Sequence, residues 1–162
     1  MSCTVHSRFL AGMALAITCA ACVTTTDRTP ASGSAMPASI IEPYLAIQNA
    51  LADDSTNDVK TNAANIATAA TGLGAPAMKI DTAALQLSAA ADGPEPDIAK
   101  VRERFSALSE ALDTYMTGLK ISPGEGVRVA FCPMAAKPWL QKGDTLANPY
   151  YGKEMPTCGS FR

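Results

Sequence analysis

Four sulfur atoms near the C-terminus carry the chemistry that this sequence can offer. Cys132 and Met134 stand as Cys-x-Met, and Met155 and Cys158 as Met-x-x-Cys, so a folded tail can gather two thiols and two thioethers. Thiolate and thioether sulfur are soft ligands that select Cu(I) over harder ions, and without histidine a zinc or copper(II) site is disfavoured. Pro133 and Pro156 restrict the backbone beside each pair. Lys137, Lys142 and Lys153 lie close enough in sequence to favour thiolate, although a run of this size is also an ordinary solvated face. The same residues permit a different outcome. In an oxidising compartment two cysteines form a disulfide, and Cys132 to Cys158 would tie the tail to the segment before it, worth about 3.5 kcal/mol in the chain-entropy model. A Cu(I)-type site of Cys132, Met134, Met155 and Cys158, a structural Cys132–Cys158 disulfide and a redox thiol pair all stay open, and reduction of the disulfide would free the ligands.

The compartment follows from the start of the chain. Met1 to Arg8 holds one arginine, and Phe9 to Ala21 is an uncharged apolar run of 13 residues. A bilayer needs about 20 apolar residues, whereas the apolar core of a secretion signal needs about 7 to 15, so residues 1–21 read as a signal peptide. Cys19-Ala20-Ala21-Cys22 resembles the lipobox of bacterial lipoproteins, which implies acylation of Cys22 and a periplasmic protein held to a membrane by lipid. Cys19 stands where that pattern has Leu, and simple cleavage near Ala20 or Ala21 would give a soluble periplasmic protein instead. Cleavage discards His6, Cys3 and Cys19. The mature chain then has no histidine, and its cysteines are Cys22, Cys132 and Cys158. No Ser-His-Asp or Cys-His arrangement, histidine metal site or phosphate-cradling loop can be assembled, so an enzyme is not expected. A net charge of −2 with 48% apolar residues lacks the basic excess of a nucleic-acid binder.

The elements that must position the sulfurs are helical. Residues 22–38 are rich in Thr, Ser, Pro and Gly and read as a flexible tether. From 39 to 162 a single domain is expected, with a Cys-containing cap over 127–162. Ile40, Tyr44, Ile47 and Leu51 have helical spacing; Ser39 with Glu42 makes a candidate capping box, and Pro43 suits the first helical position. Ser55 and Asp58 open a second segment marked by Val59, Ala63, Ile66, Ala70 and Leu73. A third carries Ile80, Ala84, Leu87 and Ala91. The fourth runs from Asp97 as cap through Ile98, Val101, Phe105, Leu108, Leu112, Tyr115 and Leu119. Short connections imply an all-α, antiparallel bundle of about four helices with a C-terminal strand/loop cap, in which Val127, Val129 and Phe131 alternate as in a strand. Met36, Met78 and Met116 read as tether or core filler.

Charge and aromatics also divide at the cap. Residues 39–117 carry five Lys or Arg against eleven Asp or Glu, and 118–162 carry six against three. Five of the nine aromatics fall in the last stretch. Trp139, Tyr150 and Tyr151 either line a groove for a peptide or metal chelate or form a small core over one end of the bundle.

Phe131-Cys132-Pro133-Met134-Ala135, Trp139-Leu140, Asn148-Pro149-Tyr150-Tyr151-Gly152 and Met155-Pro156-Thr157-Cys158-Gly159 together resemble an uncharacterised bacterial domain family of unknown function. Members occur alone in periplasmic lipoproteins and fused to adaptor subunits of copper and heavy-metal RND efflux systems. The resemblance runs from about Ile41 to Gly159. Ala136-Lys137-Pro138 replaces a more Gly-rich spacer before the Trp-Leu pair. The resemblance implies a helical bundle with a Cys-containing cap, a heavy-metal efflux or tolerance context, and an efflux or envelope protein partner. The expected function is a periplasmic, lipid-anchored binding or accessory module for a soft metal such as Cu(I), or else a structural or protein-interaction domain with a permanent Cys132–Cys158 disulfide and no metal.

Overall fold

The computed structural model describes residues 29–162. The expected signal peptide, Cys22 and the first part of the expected tether lie outside the described residues. Four helices follow one another: α1 (Ala38–Ala52), α2 (Val59–Thr71), α3 (Met78–Ala90) and α4 (Ile98–Leu119). A hairpin of β1 (Val127–Cys132) and β2 (Lys137–Lys142) comes next, and β3 (Ser160–Phe161) closes the chain.

The periodic residues are the buried ones. Ile40, Tyr44, Ile47 and Leu51 of α1 and Val101, Phe105, Leu108 and Leu112 of α4 are all within the core, while Ile98 and Leu119 at the ends of α4 are only partly covered. Seven α4 positions at a three-four spacing thus form one apolar stripe, as an amphipathic helix requires. Asp97 caps α4 as its sequence predicts, its carboxylate accepting the Ala99 N–H at 2.9 Å. The caps expected for the first two helices do not form. Helix α1 starts at Ala38 after Pro37, so the Ser39/Glu42 box falls inside it, and Pro43 sits in its interior. Asp58 precedes α2 in the left-handed region and makes no side-chain cap bond, while Ser55 turns back to accept the Asn57 N–H.

The connections of α2 to α3 and α3 to α4 reverse the chain. Ser88, late in α3, donates to the carbonyl of Lys60, early in α2, and Arg104 of α4 reaches Gln86 of α3. Ala63, Ala67 and Ala70 of α2 and Ala83 and Ala84 of α3 are buried, and α2 packs on α3, where small side chains permit a close approach. Helix α1 packs on α2, α3 on α4, and strand β2 lies against both α4 and α1.

The fold is mostly helical but not all-α, because the tail forms a three-stranded antiparallel sheet in the order β2-β1-β3. Ala130 faces Trp139 across the hairpin and Phe161 across the other edge. Within β1 the buried residues include Ala130 and Cys132, whereas Val129 and Phe131 are only partly covered. Pro138 through Gln141 are buried as a run, so alternation fails in β2 because the strand is covered on both sides.

The folded unit begins ahead of Ser39. Thr29 donates to the Leu73 carbonyl, Ala35 forms a parallel bridge with Ser122, and Met36 is buried. Met116 is also core, but Met78, expected as filler, is 65% exposed because it sits at the first position of α3 outside the stripe.

Candidate functional site

The hairpin fixes the first thiol. Cys132 ends β1 opposite Lys137, and Pro133 to Ala136 form the turn, with Ala136 at φ +54. The turn folds the Ala135 N–H back onto the Cys132 sulfur at 3.4 Å. Cys132 itself is fully buried. The second thiol arrives from the far end of the tail. Cys158 is half-buried two residues before β3, and its sulfur stands 3.8 Å from that of Cys132, both thiols being free.

Gly159 permits that approach. It has φ +148, and a Cβ there would meet the Trp139 ring at 2.6 Å and the Phe131 carbonyl oxygen at 2.9 Å. The glycine that follows each C-terminal motif therefore has a steric cause. At Gly152, φ +54, an added Cβ would run into the Asp54 carboxylate and the Arg102 guanidinium.

The two thiols are electrostatically unlike. Burial pushes the Cys132 thiol up, but the Ala135 N–H, the Asn148 amide, the Cys158 thiol and the Met134 N–H together outweigh it and hold Cys132 below the usual thiol value. Cys158 is raised by burial and by its hydrogen bond and charge contact with Cys132. Of the two thiols, Cys132 is the one that loses its proton first.

Two sulfurs 3.8 Å apart are close enough for one soft cation to contact both. Among the described residues no group of three or more His, Cys, Asp or Glu gathers to hold a metal ion. The chain thus presents a two-thiol clip. Met134 is 66% exposed and Met155 half-buried. Two of the three lysines near the thiols in sequence have other partners: Lys137 pairs with Glu110 at 2.8 Å, and Lys142 stands 3.8 Å from Glu42.

The cap aromatics are packing elements first. Trp139 is 1% exposed and meets Tyr150 edge-on at 6.0 Å; Tyr150 leans on Phe105, and Phe105 stacks on Tyr44 at 5.0 Å. The Tyr150 hydroxyl donates to the Pro138 carbonyl. This chain of rings joins the cap to the main core, so it is not a separate satellite. Tyr151, half-buried, borders a shallow groove of about 260 Å³ with Ala99, Arg102, Glu103 and Lys137.

Several residues that hold the cap lie outside the sequence-derived site. Arg102 donates from Nε to Pro149 O and from Nη2 to Leu51 O, each at 2.9 Å, and to Asp54 Oδ1 at 2.6 Å. Four buried polar side chains do the rest. Gln48 donates to Ala147 O, and Gln141 accepts from Trp139 Nε1 and Ala147 N while donating to Thr145 O. Ser109 pairs with Tyr44, whose hydroxyl accepts the Leu140 N–H. Asn148 is fully buried. The signal available in the sequence was a polar residue on an apolar stripe, since Gln48 falls four after Tyr44 and Ser109 four after Phe105.

Against known proteins, one family model matches the chain. It is described as "Protein of unknown function (DUF3347)" and covers residues 40–124, just over half of the sequence. The match takes in α2, α3, α4 and all but the first two residues of α1, and it ends before β1, so the thiol-bearing hairpin and tail lie beyond it. No curated protein and no solved structure matches the chain.

Proposed function

The chain belongs to the DUF3347 family, and from that premise we propose that it is an accessory module whose C-terminal cap binds a soft cation such as Cu(I) through Cys132 and Cys158. One observation carries the reading: two free thiols, one buried and one half-exposed, with sulfurs 3.8 Å apart. Soft sulfur ligands in that geometry suit a monovalent, thiophilic ion, and no harder ligand set gathers among the described residues. Met134 and Met155 are the thioethers available to complete the shell. The open side fits a module that receives or surrenders its metal in a heavy-metal efflux or tolerance pathway, with an efflux or envelope protein as partner. The leader and Cys22 supply the rest of the proposal, a periplasmic domain tied to a membrane by lipid.

Competition with a chromophoric Cu(I) chelator tests the site. Native reduced protein is expected to hold one Cu(I), Cys132→Ser and Cys158→Ser to lose more than about a hundredfold in affinity, and Met134→Leu and Met155→Leu to lose about tenfold or less. Equal affinity in native protein and both Cys→Ser variants sinks the metal reading. The competing arrangement, a permanent Cys132–Cys158 disulfide, is favoured by the same proximity. It predicts no reactive thiol in native protein purified from an oxidising compartment until it is denatured and reduced. Loss of detergent-phase partitioning in Cys22→Ser supports the anchor, and unchanged partitioning rules it out.

A further inference from the structure

We propose that Asn148 is the positioning residue of the thiol pair, a single buried side chain that fixes the distance between Cys132 and Cys158. Its Cu(I) arm rests on the metal reading above, whereas its geometric arm does not.

The two cysteines are brought together from separate segments. Cys132 belongs to β1, anchored by a six-residue ladder with β2, but Cys158 sits in irregular chain between a 3-10 turn at Gly152–Glu154 and the two-residue strand β3. Irregular chain fixes a sulfur to within a few tenths of an ångström only if something over-determines its backbone. Asn148 does so. Its Nδ2 donates to the Cys158 carbonyl at 2.6 Å, and the same amide is near enough to the Cys132 thiol to help hold it below its usual value. Its Oδ1 accepts the N–H groups of Tyr150 at 2.8 Å and Tyr151 at 3.3 Å. Its own backbone closes the loop on both sides, the N–H donating to Pro156 O at 2.8 Å and the carbonyl accepting from Gly152 at 3.0 Å.

The residue type follows from the requirement. The side chain must accept at one end, to hold the Tyr150–Tyr151 turn, and donate at the other, to hold the Cys158 carbonyl. Aspartate keeps the first role and loses the second. Glutamine adds a methylene where Asn148 is 0% exposed, so there is no room for it. The Asn-Pro-Tyr-Tyr-Gly segment is therefore part of the thiol clip, with its asparagine aimed inward and its first tyrosine bonded to Pro138 beside the hairpin.

A probe that needs two neighbouring thiols reads this directly. Phenylarsine oxide condenses with a dithiol, forming two As–S bonds while its oxygen leaves as water with the two thiol protons. Native reduced protein is expected to close that ring. Asn148→Asp should weaken ring closure about 10- to 100-fold, the range typical of second-shell residues, while alkylation of the separate thiols still reaches two per chain. Gln48→Leu is the control, because it deletes a bond to Ala147 one residue away and is equally buried, yet touches neither thiol. It should lower thermal stability and leave ring closure unchanged.

Ring closure by Asn148→Asp within twofold of native overturns the proposal, and so does an equal loss in Gln48→Leu. Should Asn148→Asp fail to fold by circular dichroism, the native protein decides the matter. The Asn148 side-chain amide protons should shift in the nitrogen–proton spectrum when the arsenical closes, and unmoved signals overturn the proposal. If native protein closes the ring but holds no Cu(I), the metal reading fails and the role of Asn148 stands.

Discussion

Replacing Arg102 with methionine should detach the cap from the bundle at its most heavily used point. Methionine keeps much of the apolar stem and removes every donor. Two carbonyls lose a charged partner, Pro149 O in the tail and Leu51 O at the end of α1, both bonded at 2.9 Å. Hydrogen bonds from charged donors contribute about 1.5–3 kcal/mol each. Arg102 is 16% exposed, so water can reach part of the vacated space and recover a fraction of that. The net loss is then about 2–4 kcal/mol. The ion pair with Asp54 adds little, because Asp54 is 40% exposed and water screens it. For a folded unit of this size, about 3 kcal/mol lowers Tm by on the order of 10 °C. Thermal unfolding followed by circular dichroism gives the number, and amide exchange gives the location: Tyr150 to Lys153 should exchange faster while the α2 and α3 amides keep their protection. A Tm within about 2 °C of native, or faster exchange spread evenly over all four helices, would refute the reasoning.

Ala136→Gly should stabilise the protein by about 0.5–1 kcal/mol, because Ala136 occupies the hairpin turn at φ +54, where a Cβ is strained; a denaturant midpoint at or below the native value counts against that strain. Acid sensitivity should also have a local source. The Arg102 hydrogen bond holds the Asp54 carboxyl below its ordinary value against the opposing effect of burial, aided by the Lys153 N–H, and Lys60 with the Gly93 N–H does the same for Asp92. A carboxyl lowered on folding stabilises the native state fully above about pH 4 and progressively less as pH falls through its folded value. Asp54→Asn and Asp92→Asn together should make the fall of stability below about pH 4 slightly shallower, measured by urea unfolding, and an unchanged slope would place the acid sensitivity elsewhere.

The sequence alone determined the helices. Alanine-rich stretches with apolar residues three and four apart can bury only one face, so the four segments, the Asp97 cap and the α4 stripe follow from local periodicity. It also singled out the two thiols, since cysteine count is a property of composition. The caps of α1 and α2 did not follow, because a capping box competes with Pro37 and with a left-handed Asp58, whose backbone is set by the turn before it. Nor did the burial of β2, whose alternation is erased once α1 and α4 cover it. What only the tertiary structure decided is the geometry of the site: that Cys132 and Cys158, 26 residues apart, come within 3.8 Å, and that Asn148, Arg102 and Gln141 hold the tail that brings them there. Those contacts are hydrogen bonds from buried and part-buried side chains to backbone carbonyls, from Gln141 to Thr145 four residues on to Arg102 to Pro149 47 residues on, and no periodicity along the chain encodes which carbonyl a buried amide will meet.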